Sequence, residues 1–198
     1  MPEIELPNPE ELEERKEKVF TRRVALTTAI YAVALAIASL GGNNATKEML
    51  LSQQQASDQW AFYQAKAIRE HQYRTQKLRL EVDLAERGTA IRPEVRQKFE
   101  ALIAKFAEEE KRYNGEKKEI EQEVKKLEHE RDVNRAKDPY FDFGEALLQI
   151  AIVMSSIAIL STSRSTFLFS LVLALLGALL TLNGYTLFFK LPYLHRGH

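Results

Sequence analysis

Apolar residues gather along this chain in three dense runs, with a long, heavily charged stretch between the first and the second. Val24 to Leu40 reads VALTTAIYAVALAIASL, Ala146 to Leu160 reads ALLQIAIVMSSIAIL, and Phe167 to Phe189 reads FLFSLVLALLGALLTLNGYTLFF, all without Asp, Glu, Lys or Arg. Each approaches or reaches the roughly 20 residues that carry a helix across a bilayer core. A helix suits that medium because it satisfies its own backbone polar groups where no water can. The pattern predicts an all-α membrane protein: a charged tail at 1–23, transmembrane helices at 24–40, 144–160 and 167–189, an extramembrane helical segment at 41–143, and a C-terminal tail at 190–198. Ala36-Ile37-Ala38 would also serve as the small-x-small site of a cleavable signal peptide. The tail before the first run is long and carries Glu10, Glu11, Glu13 and Glu14, so the run is read as an anchor.

Between the first two spans, helix-breaking residues are few and well placed. Gly88 follows Arg87 where a helix ends best on a left-handed residue, and Pro93-Glu94 then opens the next helix with Pro at its tolerated first position. Nothing interrupts from about Ala45 to Arg87. From Pro93 to Lys137 only Asn114-Gly115 does, at a propensity cost of about 1 kcal/mol that favours a kink, and Asp138-Pro139 is expected to stop the helix. Two arms of similar length, each about 65 Å at 1.5 Å per residue, make a long antiparallel coiled-coil hairpin inserted between spans one and two, with its turn at Gly88 to Arg92.

The second arm repeats every seven residues at Phe99, Phe106, Tyr113, Ile120 and Leu127, supported by Val95, Leu102, Ile103 and Val124, which is the signature of a coiled-coil seam. The first arm is richer in Ala, Ser and Gln and shows two faces. Met49, Ala56, Trp60, Tyr63 and Ala67 form one; Leu50, Ala61, Ala65, Ile68 and Leu78 form another, about a quarter to a third of a turn away. Two faces exceed what one partner helix covers, so a homo-oligomer is expected. In the first span Ala25, Ala29, Ala32, Ala36 and Ser39 put small residues at three- and four-residue spacing on one face, where helices approach closely. That span is accordingly placed inside the bundle. The leucine-rich third, interrupted between Leu171 and Leu182 by Gly177, is placed at the rim.

The segment from Arg22 to Tyr73, most specifically Asp58-Gln59-Trp60-Ala61-Phe62-Tyr63-Gln64-Ala65-Lys66, and the FDFGEALLQIAIVMSSIAIL stretch from Phe141 to Leu160 resemble a bacterial membrane family known as domain of unknown function 4337. The likeness covers nearly the whole chain. It implies the same layout of spans and hairpin, and brings no reaction, cofactor or ligand with it.

Composition changes this picture little. Among 198 residues, 28 Lys+Arg balance 28 Asp+Glu, so no basic excess points to nucleic acid. With no Cys, there are no disulfides, thiolate metal sites or cysteine nucleophiles. Charge placement says more than charge total. Arg15, Lys16, Lys18, Arg22 and Arg23 precede the first span and favour a cytoplasmic N-terminus. Arg164, in the turn between spans two and three, then lies on the same side, and Lys190 and Arg196 on the other. Lys47, Arg131, Arg135 and Lys137, at the ends of the central segment, weaken the bias. The resulting expectation is a multi-pass protein of the bacterial inner membrane with the hairpin in the periplasm.

Candidate chemistry is sparse. His71 and His129 fall on different arms without a His or Cys at ligand spacing, and no phosphate-binding glycine loop, nucleophile elbow or zincin motif is present. No catalysis, cofactor or metal is expected. Glu145 and Gln149, one helical turn apart at the mouth of the second span, are the one polar pair placed for an ion or proton path. Trp60 and Tyr63 lie too far along the helix from Leu40 for a membrane belt and are read as filling a seam or docking a partner protein. The belt is assigned to Tyr140, Phe141 and Phe143, and to Tyr185, Phe188, Phe189 and Tyr193. Ala25, Ala29, Ala32, Ala36, Trp60 and Tyr63 are therefore the candidate interface residues, and the lipid bilayer, a second copy and another protein are the candidate partners. The function expected is a membrane-anchored homo-oligomeric scaffold or accessory subunit; the alternative is a homo-oligomeric pore or transport accessory lined by spans one and two.

Overall fold

The computed structural model describes residues 9–189. Lys190, Tyr193 and Arg196, named above for orientation and the aromatic belt, lie outside the described residues. Among the described residues there is no strand: the order is α1 (Pro9–Arg87), a 3-10 turn (Gly88–Ala90), α2 (Pro93–Ser161) and α3 (Arg164–Thr186). The turn falls where the glycine and the proline predict it. Gly88 has φ +52°, a conformation that costs a residue without a Cβ little. The Arg92 carbonyl accepts from the Val95 and Arg96 amides at 3.0 Å each, closing the first turn of α2.

One expectation about breakers fails: Asp138-Pro139 does not stop α2. α2 passes through Asn114-Gly115 and through Asp138-Pro139 without interruption. An interior proline removes a donor and clashes with the preceding turn, at about 3 kcal/mol. The two residues that follow it supply the offset: Tyr140 is fully buried and Phe141 is 2% exposed, and burying side chains of this size contributes about 1.5–3 kcal/mol each. The seven-residue repeat also continues past the proline. Leu127 and Asn134 are half-buried, and Phe141, Leu148 and Ser155 are buried, so the register that begins at Phe99 runs to the end of α2.

The chain divides into two compact units, one comprising residues up to Glu48 with those from Val133 onward, the other Met49–Asp132. In the Met49–Asp132 unit the α1 and α2 segments run antiparallel, since Gln53 meets Arg131, Trp60 meets Glu128, Lys66 meets Glu116 and Lys77 meets Glu110. Ala56, Glu70, Tyr113 and Val124 are buried along the contact. Val95 and Leu102, expected to support the seam, are 37% and 43% exposed; they lie beside the seven-residue register instead of in it.

In the other unit three helices pack around Tyr31, Ala38, Leu148, Ala151 and Ala174. Val24, Tyr31, Ala38 and Ala45, seven residues apart, are buried positions of α1 in this unit, as is Gly41. α3 presents Ser170, Ala174, Gly177, Thr181 and Gly184 inward. The turn between α2 and α3 is tighter than expected: Thr162 takes φ +48°, and Ser163 caps α3 by accepting from the Thr166 amide at 3.4 Å. At its other end α3 stops at Thr186, short of Phe189, because Leu187 turns left-handed and donates to the Asn183 carbonyl at 2.7 Å. Within one chain, span one is no more enclosed than span three: 22%, 28% and 22% of the residues in the most apolar stretches of α1, α2 and α3 are buried. Each helix contributes a narrow inner stripe and leaves a broad apolar outer face.

Candidate interaction surfaces

The three-helix unit closes on its smallest residues. A Cβ added at Gly144 would lie 3.0 Å from the Gly177 carbonyl oxygen, and one at Gly177 would lie 2.9 Å from that of Gly144. The backbones of α2 and α3 therefore touch, the kind of approach that small residues permit between apolar helices. Nearby, the Ser155 hydroxyl donates to Ser170 at 3.0 Å and Ser170 donates to the Phe167 carbonyl at 2.7 Å. Tyr31 is 5% exposed, with its hydroxyl beside Ser170. At one end of the unit the Phe141 ring is held between two glycines: a Cβ at Gly41 would overlap the ring, and one at Gly184 would meet it at 3.0 Å. Tyr185 lies edge-on to Phe141 at 4.9 Å and donates to the Ile37 carbonyl at 3.1 Å. Tyr140 donates to the Phe189 carbonyl at 2.9 Å. At the other end Phe20 meets Phe167 edge-on at 6.0 Å. Aromatic rings thus sit at both ends, and from Phe20 to Gly41 a helix rises about 31 Å, close to the thickness of a bilayer core.

The Met49–Asp132 unit is held differently. Tyr73 stacks on Tyr113 at 5.6 Å and tilts against Phe106 at 5.8 Å. Around this stack, Lys117 pairs with Glu70, Lys66 with Glu116, and Lys77 with Glu110 at 2.6 Å. Asn114 adds a second donor to Glu70 at 2.8 Å. Hydrogen bonds from Lys117 and Asn114 hold the Glu70 carboxyl below the usual carboxylate range against the opposing effect of burial. Lys66 does the same for Glu116. Arg69 donates to the Tyr113 hydroxyl at 3.2 Å and lowers that phenol. Glu70 and Lys117 occupy seam positions on facing helices, so the pair sets which turn of α1 meets which turn of α2. The low-complexity look of the first arm conceals this, because an isolated Glu or Lys on a helix reads as solvated surface.

The predicted site residues separate into two groups. Trp60 and Tyr63 come together edge-on at 5.3 Å, and Trp60 donates to Glu128 on α2 at 3.1 Å. Trp60 nonetheless keeps 36% of its surface exposed, so it borders the seam without filling it. Ala25, Ala29, Ala32 and Ala36 are exposed, turned away from the α1 stripe that packs on α2 and α3. In the second group, Gln149 donates to Glu145 at 3.1 Å; Gln149 is exposed and Glu145 half-buried, on the outer side of the unit. His71 and His129 are both exposed, and among the described residues no three His, Asp or Glu side chains are grouped to hold a metal.

Comparison with known families then decides one question. The model of the family described as Domain of unknown function (DUF4337) matches residues 20–187. The chain belongs to that family. No curated protein and no solved structure matches it. The matched stretch takes in the apolar runs of the three helices that, among the described residues, are long and apolar enough to cross a membrane. DUF4337 membership carries no reaction or ligand, so function must be argued from the surfaces themselves.

Sequence reasoning missed the Gly144–Gly177 contact, the Phe141 clamp and the Ser155–Ser170 bond. The spacing Gly177, Thr181, Gly184 was a signal for the first, and continuing the seven-residue count beyond Leu127 leads to the second.

Proposed function

We propose that this chain is a membrane-anchored, homo-oligomeric scaffold: a three-helix membrane unit bearing an antiparallel coiled-coil hairpin that docks copies of itself and a further protein, without catalysis. The observation that carries the reading is the apolar surface left bare on α1 in the charged unit, where Leu50 is 59% exposed, Phe62 59% and Ile68 60%. Outside lipid, side chains of this size on one helix mark an interaction surface. The seven-residue register of both helices supports the coiled coil, and the polar clusters are engaged in holding helices together. Aromatic rings at both ends of the apolar unit support insertion in a bilayer.

The orientation proposed is N-terminus cytoplasmic and hairpin periplasmic, in the bacterial inner membrane. The Phe20–Phe167 contact places the start of α1 and the start of α3 at the same end, so Arg22, Arg23 and Arg164 vote together under the positive-inside rule. The pore or transport-accessory reading has one feature in its favour, the Glu145–Gln149 pair on the outer side of α2, which a neighbouring copy would have to cover.

Native mass spectrometry of the full chain extracted in mild detergent tests the assembly. An oligomer that is weakened by Ala32→Leu and indifferent to Leu175→Ala supports the proposal. A monomer at micromolar concentration, unchanged by Ala32→Leu, overturns it and the pore reading together.

A further inference from the structure

Within the charged unit, α1 carries a second stripe in the same seven-residue rhythm as the first, on its far side. From Leu50 to Val82, steps of four and three residues land on Leu50, Ala61, Ile68, Leu78 and Val82, and the positions between them in the series hold Gln, Ser, His and Thr. Every position of the series is exposed, and none is Asp, Glu, Lys or Arg. The seam that packs on α2 is the opposite case, with Lys66, Glu70 and Lys77 in it. Alternation of four and three is the period at which one helix meets another over many turns, so the geometry calls for a helical partner.

We propose that this stripe is the seam on which a second copy of the chain docks, α1 beside α1, parallel and in register. The inference rests on the membrane-anchored oligomer reading. Two copies anchored in one bilayer by the same helices present the stripe in the same direction at the same height. A parallel two-fold contact then brings each position against itself. Such a contact tolerates no charge, because every charged position would face its own like charge; an uncharged stripe on a helix this rich in charge meets that condition. Charge also sets its limit. Flanking positions are Asp58 before Ala61, then Trp60, Ala65, Ala67 and Gln72 over its middle, and Arg74, Arg79 and Glu81 toward the turn, so the close contact centres on the stretch from Ala61 to Ile68. The stripe is about 50 Å long at 1.5 Å per residue, and a helix about 10 Å wide buries roughly 1,000 Å² in total over that length. That is the lower edge of a specific interface, sufficient for partners already concentrated by a shared membrane.

The chain has no cysteine, so single cysteines report the contact directly. Ala61→Cys, Ile68→Cys, Phe62→Cys and Ala32→Cys are made in the full chain, and membranes containing each are treated with a mild oxidant. Ala61 and Ile68 lie on the stripe; Phe62 is as exposed but lies off it. The proposal expects covalent dimers of the chain from Ala61→Cys and Ile68→Cys, several-fold more than from Phe62→Cys. Ile68→Glu placed in the Ala61→Cys background should abolish the cross-link while Trp60 fluorescence, reporting the intact helix pair, stays unchanged. Equal cross-linking at Phe62→Cys, or adducts to a different protein alone, overturns the stripe as a self-docking seam. Dimers from Ala32→Cys only would overturn it while leaving the oligomeric scaffold standing. Absence of dimers at all four positions defeats both.

Discussion

In the apolar unit, helices meet where side chains are missing: Gly144 lies against Gly177, and Gly41 and Gly184 accept the Phe141 ring. Between Met49 and Asp132 they meet through some of the largest side chains in the chain, a Tyr73–Tyr113 stack enclosed by ion pairs from Lys66, Lys77 and Lys117. The same two helices run through both regions, and the difference is the one that the proposed placement of one unit in lipid and the other in water calls for. Among apolar surroundings, burying a leucine against another helix gains little over leaving it in lipid, and close backbone contact with internal hydroxyl bonds supplies the attraction. In water, burying aromatic rings drives association. Paired charges at the seam then specify register, because a slip of one turn would leave each charge facing the wrong partner.

The largest effect is expected where backbones touch. Gly144→Leu has no rotamer that avoids the α3 backbone, and thermal unfolding in detergent should show the protein failing to fold or losing most of its stability. Normal folding of that variant would mean that α2 and α3 are not packed as described. Phe141→Ala comes next, empties the space between two glycines, and should cost about 3–5 kcal/mol.

Glu70→Ala breaks the other kind of contact and leaves Lys117 and Asn114 without their acceptor. A half-exposed pair would matter little, but these side chains are only 19% and 10% exposed. A loss of about 2–3 kcal/mol in the charged unit is expected. Trp60, the one tryptophan, lies in that unit and reports it. The double variant Glu70→Met with Lys117→Leu should recover most of the loss. Acid should act on the same unit. The folded carboxyls of Glu70 and Glu116 are depressed, so their contribution is complete above the unfolded value near about 4.3 and disappears as pH falls through the lower folded values. Trp60 emission should therefore shift only below about pH 4, and Glu70→Gln should remove part of that transition. A transition centred near neutrality would contradict the assignment. The smallest effect is the mirror image of the first. Gly115 has nothing within 4 Å of an added Cβ, so Gly115→Ala should stabilise the helix pair by about 0.5–1 kcal/mol.

Much of this architecture was legible from residue order. Three uncharged runs gave the apolar helices, Gly88 and Pro93 gave the turn, and Phe99 to Leu127 gave one side of the helix pair. Asp138-Pro139 misled because a proline's local cost is visible in sequence, whereas the burial of Tyr140 and Phe141 that offsets it depends on residues far away, Gly41, Gly184 and Phe189 among them. The inner face of α1 was hidden for a related reason. Ala25, Ala29, Ala32 and Ala36 form the more uniform stripe, yet α2 and α3 pack on Val24, Tyr31, Ala38 and Ala45. Regularity alone does not say which of two faces meets the chain's own helices and which is left for a neighbour.

If one unit lies in lipid and the other in water, exposed positions in the two should differ sharply in their reactivity toward a water-soluble label. Gln122, Ala32 and Leu175 are all exposed on the chain itself, so chain packing protects none of them. Single cysteines at the three positions, in intact membranes treated with a charged, water-soluble maleimide, should react rapidly at Gln122→Cys and barely at Ala32→Cys or Leu175→Cys, with labelling at Gln122→Cys occurring from the periplasmic side. Comparable labelling at all three would contradict the account.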